Sequence, residues 1–195
     1  MYGNFVRRIS LVLSSSLVLL SASFPARAES VSASDLEGLA VEVNIVRDQI
    51  MQRQGRTFSA RVHQNWSVAI RAGSTVDLTV DSSVDSPYGM LKYKPNSGTF
   101  TIDQLRRVNS RGGGEAVWKF SDSTLTFMRT FIAGAYRMRI VFSRGPAGLT
   151  CTAAGALARE NGNGTIRLNG AFGDELTVVS ANPVSSSCNI VRKKA

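Results

Sequence analysis

Three arginines and three consecutive glycines fall within the ten positions from Arg106 to Glu115, in the stretch RRVNSRGGGE. Arginine offers a planar fork of donors and glycine reaches positive φ, the two ingredients of a backbone nest for an anion. Arg106, Arg107 and Arg111 are therefore the first binding candidates. A phosphate loop of the ATP-binding kind needs Gly-x-x-x-x-Gly-Lys followed by Ser or Thr, leading from a strand into a helix. Here the glycines lead into Glu115 and a strand-like run, so that match fails. The plainer reading is a flexible loop whose arginines keep its tip in water.

A second candidate surface comes from alternation. In AYRMRIVF, Arg137 and Arg139 alternate with Tyr136, Met138 and Ile140, and with Lys119 and Arg167 they form a basic stripe on one sheet face. Proteins that stack nucleic-acid bases interleave such charges with exposed aromatics. Alternation puts these aromatics on the opposite face, so nucleic acid is disfavoured as a partner.

Hydrolytic and metal chemistry finds little to work with. His63 is the single histidine and sits in a plain alternating stretch, and there is no Gly-x-Ser-x-Gly elbow. Asp174 and Glu175 are consecutive and read as a turn rather than a carboxylate pair. Asp77, Asp81 and Asp85 are too sparse for a calcium loop. The expectation is a non-catalytic protein without a metal or cofactor.

The elements that must position these residues are strands. LAVEVNIV places Val41, Val43 and Ile45 on one face, TFSARVH places Phe58, Ala60 and Val62 inward, and WSVAI continues with Trp66, Val68 and Ile70 after a turn expected at Gln64-Asn65. Val76, Leu78 and Val80 alternate in TVDLTV. From Ala116 to Phe142 one apolar set recurs (Trp118, Phe120, Leu125, Phe127, Phe131, Tyr136, Met138, Ile140, Phe142), broken by turns at Ser121 to Ser123 and at Ala133-Gly134. TIRLNG and LTVVSA supply two more strands. The pattern predicts an all-β fold, an antiparallel meander of about eight or nine short strands closing as a sandwich or small barrel. Residues 81–114 pattern weakly, with one or two short strands expected around Met90 to Tyr93 and Thr99 to Ile102, and are the first place to look for a site.

The start of the chain bounds its location. Arg7 and Arg8 precede the apolar run Ile9 to Leu20, and PARA ends a short polar stretch before Glu29. That is the form of a secretory signal peptide over 1–28, cleaved after Ala26-x-Ala28. The run is too short and too serine-rich for a membrane span. What remains, 29–195, is expected to be one β-rich domain without a transmembrane anchor. Arg7, Arg8 and Arg27 leave with the leader, so the 23 basic and 14 acidic residues become 20 and 14, a net charge of +6. Such a surface favours anionic partners. Cys151 and Cys188 are the only cysteines, and an even count in an exported chain reads as one disulfide.

The order DLEGLAVEVNI, a Gly-rich middle, LTFMRTFIAGAYRMRIVFS, LTCTAAGA and SSSCNI resembles a group of uncharacterised secreted proteins of alphaproteobacteria. The resemblance implies export across a bacterial inner membrane and a cysteine pair, and it brings no catalytic or binding residue. The expected function is thus a periplasmic or secreted β-domain that binds an anionic envelope polymer, lipid headgroups or another protein. The alternative is a small calycin-like barrel whose interior, lined by Trp66, Trp118 and Phe127, carries an apolar ligand.

Overall fold

Twelve strands alternate along the chain in a computed structural model that describes residues 29–107, 114–131, 134–158, 166–169 and 175–192. The expected leader, Arg111, Ala133 and Asp174 lie outside those residues. The strands are β1 (Leu39–Arg53), β2 (Arg56–Arg71), β3 (Thr75–Ser86), β4 (Gly89–Lys92), β5 (Asn96–Thr101), β6 (Arg106–Arg107), β7 (Glu115–Ser121), β8 (Thr124–Phe131), β9 (Gly134–Gly145), β10 (Gly148–Ala158), β11 (Ile166–Asn169) and β12 (Glu175–Arg192). The only helical turn among the described residues is a 3-10 turn at Ser34–Leu36, and no described helix is long and apolar enough to cross a membrane.

The strands form two antiparallel sheets. The larger runs β11-β12-β1-β2-β3-β4, with β5 also paired to β3; the smaller runs β10-β9-β8-β7-β6. The alternation read from the sequence decides which faces meet. Val41, Val43, Trp66, Val68, Val76, Trp118, Leu125, Met138 and Ile140 all lose nearly all contact with water between the sheets. An aromatic cluster spans the gap: Trp66 stacks on Tyr136 with ring centroids 5.5 Å apart, and Phe127 contacts Trp66, Trp118 and Phe100 at 5.3, 5.1 and 6.0 Å. Each such pair contributes about 0.5–1.5 kcal/mol beyond its buried area.

Both open sides of the sandwich are stapled. On one, Ile102 bridges Trp118 of β7 while its N–H donates to Ser74 O at 2.8 Å. On the other, Cys151 of β10 is bonded to Cys188 of β12 with Cα atoms 5.6 Å apart, and Ser186 Oγ donates to Ala153 O at 2.6 Å. The disulfide is the one expected from the cysteine count.

Two expectations change. The turn at Gln64-Asn65 is absent, because β2 runs unbroken through it: Gln64 faces Ile45 and Asn65 faces Asn44 in an undisturbed register with β1, and the Gln64 amide turns inward to Ser82 Oγ at 3.5 Å. The chain reverses instead at Gln54-Gly55, both at positive φ (48° and 76°), which is the geometry of a two-residue hairpin. The strands are also more numerous and longer than expected, with β1, β2 and β12 spanning 15, 16 and 18 residues. β3 reaches Ser86, inside the weakly patterned 81–114 segment, which further supplies β4, β5 and β6.

Candidate anion-binding site

Adjacent residues of a strand point to opposite faces, and this separates the two arginines of β6. Arg106 pairs with Ala116 in the inward register. Its guanidinium crosses to the larger sheet, where NH1 donates to Thr99 O at 2.7 Å and the group lies over the Phe100 ring at 5.2 Å. It is a tie between sheets. Arg107 pairs with Glu115 and points outward, exposed.

Arg137 and Arg139 share that outer face, whereas Arg167, expected in the same stripe, belongs to β11 of the larger sheet. The register places Lys119, Thr126, Arg139 and Ala154 in one row across β7, β8, β9 and β10, with Val117, Met128, Arg137 and Ala156 in the next. Rows of one face lie about 7 Å apart along a strand and adjacent strands about 5 Å apart. Arg137, Arg139 and Lys119 therefore stand within roughly 12 Å of each other at their backbones, all exposed. Among the described residues none of the three, nor Arg107, is in an ion pair; the pairs are Arg61 with Asp48, Arg71 with Asp77, and Arg144 with Asp35 and Glu29. Thr126 stands between Lys119 and Arg139, Met128 lies beside Arg137, Ala154 and Ala156 flank the two arginines on β10, and Glu115 lies at the edge of this face.

The outer face of the larger sheet has the opposite character. Glu42, Asp48, Asp77, Asp81 and Asp85 point outward there, against Arg61, Arg71 and Lys92. Asp48, Arg61, Asp85, Ser59, Ser180 and Asn182 line a shallow groove of about 550 Å³. Arg61 holds Asp48 with Nε and NH2 at 2.8 and 3.1 Å, and that hydrogen bond keeps the Asp48 carboxyl below its usual range.

No family model, curated protein or solved structure matches the chain.

One further group was not legible as a site. The inward register of β1 continues past Ile45 to Arg47, Gln49 and Met51, so a guanidinium is carried into the sandwich. Arg47 keeps 7% of its surface exposed. Its guanidinium lies over the Tyr136 ring at 5.1 Å, and its Nε and NH1 have no hydrogen-bond partner among the described residues. Trp66 Nε1 and the Tyr136 hydroxyl are buried in the same condition. Burial lowers the Arg47 pKa and pushes the Tyr136 phenol up to about 12, opposed in part by the nearby guanidinium. Arginine nevertheless stays charged. Arg129, across β8 and β9 from Tyr136, faces the same interior and makes contacts of its own.

Trp66 and Trp118, expected with Phe127 to line a ligand space in the carrier reading, are both in ring contact with Phe127.

Proposed function

We propose that the protein is an exported, non-catalytic β-sandwich that docks the outer face of its smaller sheet on an anionic component of the cell envelope, such as lipid headgroups or an acidic polymer. The observation that carries this reading is charge segregation. Arg107, Lys119, Arg137 and Arg139 stand exposed on one face with no ion-pair partner among the described residues, while Arg61 and Arg71 on the opposite face are neutralised by Asp48 and Asp77. A basic face backed by an acidic one orients the molecule in the field of a negative surface, and steering of this kind speeds encounter. The cations stand exposed among Thr126, Met128, Ala154 and Ala156, open to a flat or extended partner.

The leader-like start of the chain and the Cys151–Cys188 disulfide support the oxidising, extracytoplasmic compartment in which such partners occur. Cosedimentation of the purified 29–195 chain with vesicles tests the proposal. Binding to vesicles rich in anionic lipid, or to an acidic polysaccharide, with little binding to zwitterionic vesicles is the expected result. Equal binding to anionic and zwitterionic vesicles, or none to any anionic probe, would refute it.

A further inference from the structure

A lone exposed leucine on a protein surface needs no explanation. Leu105 is 57% exposed, and its surroundings set it apart. It directly precedes β6, where Arg106 turns inward and Arg107 outward, so alternation places Leu105 on the outer face with Arg107. One step from the Arg106–Ala116 pair, it stands level with Val117, whose partner across the ladder is Met128, followed by Arg137. Leu105, Val117 and Met128 thus form an apolar row on the outer face. Val117 is buried and Met128 half-buried, so Leu105 is the open end of that row. Cations bound it: Arg137 closes the far end, Arg107 stands in the row on one flank, and Lys119 and Arg139 stand in the row on the other, about 7 Å away. Among the paired residues of the three rows Glu115 is the single acid.

An acidic polymer would be met by the cations alone and gains nothing from an exposed leucine among them. A bilayer offers both phases, anionic headgroups for the cations and acyl chains for the apolar side chains inside their ring, and the two attractions add. Resting on the reading that this face meets an anionic envelope component, we infer that the component is a lipid bilayer, with Leu105 and Met128 entering the boundary of headgroups and acyl chains inside the ring of Arg107, Lys119, Arg137 and Arg139. Entry is shallow. β6 is the edge strand of the smaller sheet, and the open backbone groups of an edge cannot leave water, so only side chains pass the headgroups.

The test uses the purified 29–195 chain with two probes, vesicles of equal parts phosphatidylcholine and phosphatidylglycerol, and soluble polygalacturonate. Leu105→Ser is expected to keep the wild-type Tm, because the side chain is exposed, to bind the vesicles about tenfold more weakly, and to bind polygalacturonate as the wild type does. Met90→Ser is the control: it removes an apolar side chain that is 62% exposed on the larger sheet, and it is expected to change neither affinity. Leu105→Trp reports where the side chain goes, and its added fluorescence should be quenched by vesicles whose lipid is brominated near the top of the acyl chains. The inference fails, with the basic-face reading intact, if the wild type binds polygalacturonate but not the vesicles, if Leu105→Ser binds the vesicles as tightly as the wild type, if it loses affinity for both probes by the same factor, if Met90→Ser weakens vesicle binding as much, or if acyl bromine leaves Leu105→Trp unquenched. Absence of wild-type binding to both probes overturns the basic-face reading itself, and the inference with it.

Discussion

Gly155 offers a direct test of how the two sheets interlock. It lies in extended β10, opposite Met138, so its lack of a side chain answers a question of space and not of backbone conformation. A methyl group built at Gly155 would overlap the Tyr136 hydroxyl and come within 2.7 Å of Ile45 Cδ1. Tyr136 has little freedom to retreat, because its ring is stacked against Trp66 at 5.5 Å and covered by Arg47 at 5.1 Å. Overpacking of this kind costs about 1–3 kcal/mol, and for a domain of this size each kcal/mol lowers Tm by about 2–4 °C. Gly155→Ala should therefore melt about 2–12 °C below the wild type. Tyr136→Phe alone should be close to neutral or slightly stabilising, since it removes a buried hydroxyl that has no partner among the described residues. In the double variant the overlap with the hydroxyl is gone and only the Ile45 contact remains, so part of the loss should return, with a coupling of about 0.5–2 kcal/mol by urea denaturation. Strict additivity of the two substitutions would show that the Tyr136 hydroxyl does not fill the space above Gly155, and the packing described here would be wrong.

Reduction of Cys151–Cys188 opens a loop whose ends are 37 positions apart, which the chain-entropy model values at about 4 kcal/mol; the urea midpoint should fall markedly with reductant, and an unchanged midpoint would contradict a structural role for the bond. Arg106→Ala removes the Thr99 bond and the Phe100 contact and should cost about 1–2 kcal/mol, whereas Arg107→Ala next to it should stay within about 0.5 kcal/mol; equal effects in thermal melts would refute the inward and outward assignment of the pair. Asp35 is held at a pKa of about 2, against an ordinary 3.8, first by hydrogen bonds from the Ser32 hydroxyl and backbone N–H and then by Arg144. Because the folded-state pKa is the lower one, its contribution is complete above about pH 4 and is lost as pH falls toward about 2, so Asp35→Asn should flatten the acid limb of a stability profile in that window, and an unaltered limb would count against the contact.

The apolar alternation was readable because a half-buried strand has no other way to sort its side chains. Val41, Val43, Ile45, Trp66, Val68, Trp118, Leu125, Phe127, Met138 and Ile140 all lie where a period of two places them. Gln64-Asn65 misled for a definite reason: two polar residues interrupt an apolar pattern and resemble a turn, yet Gln64 faces inward and finds Ser82. Arg47 was hidden by the same habit of reading charge as surface. The available clue was Met51, which resumes the inward register of Val41 and Ile45 two steps beyond Arg47 and so places Arg47 and Gln49 inside. The separation of Arg106 from Arg107 was likewise open to a strand reading, but a two-residue strand beside a glycine-rich loop leaves too short a pattern to declare itself. Charge segregation between the two outer faces could not be read at all from the linear order. It depends on which strands join which sheet, and β1, β2 and β3 bring Glu42, Asp48, Asp77, Asp81 and Asp85 together only through that pairing.

The role of the smaller sheet rests most directly on the salt dependence of binding to vesicles of anionic lipid, compared among the wild-type 29–195 chain, the Arg137→Ser/Arg139→Ser variant and an Arg61→Ser control. Arg137 and Arg139 are exposed with no ion-pair partner among the described residues, whereas Arg61 is neutralised by Asp48 on the opposite face, and exposed charges act only within about 8 Å at physiological ionic strength. The wild type should bind at low salt and release steeply as salt rises, the Arg61→Ser control should behave likewise, and the double variant should bind at least tenfold more weakly with a shallower salt dependence. Equal loss in the double variant and the control would mean that net charge alone governs binding, and unchanged binding in the double variant would contradict a docking role for the smaller sheet.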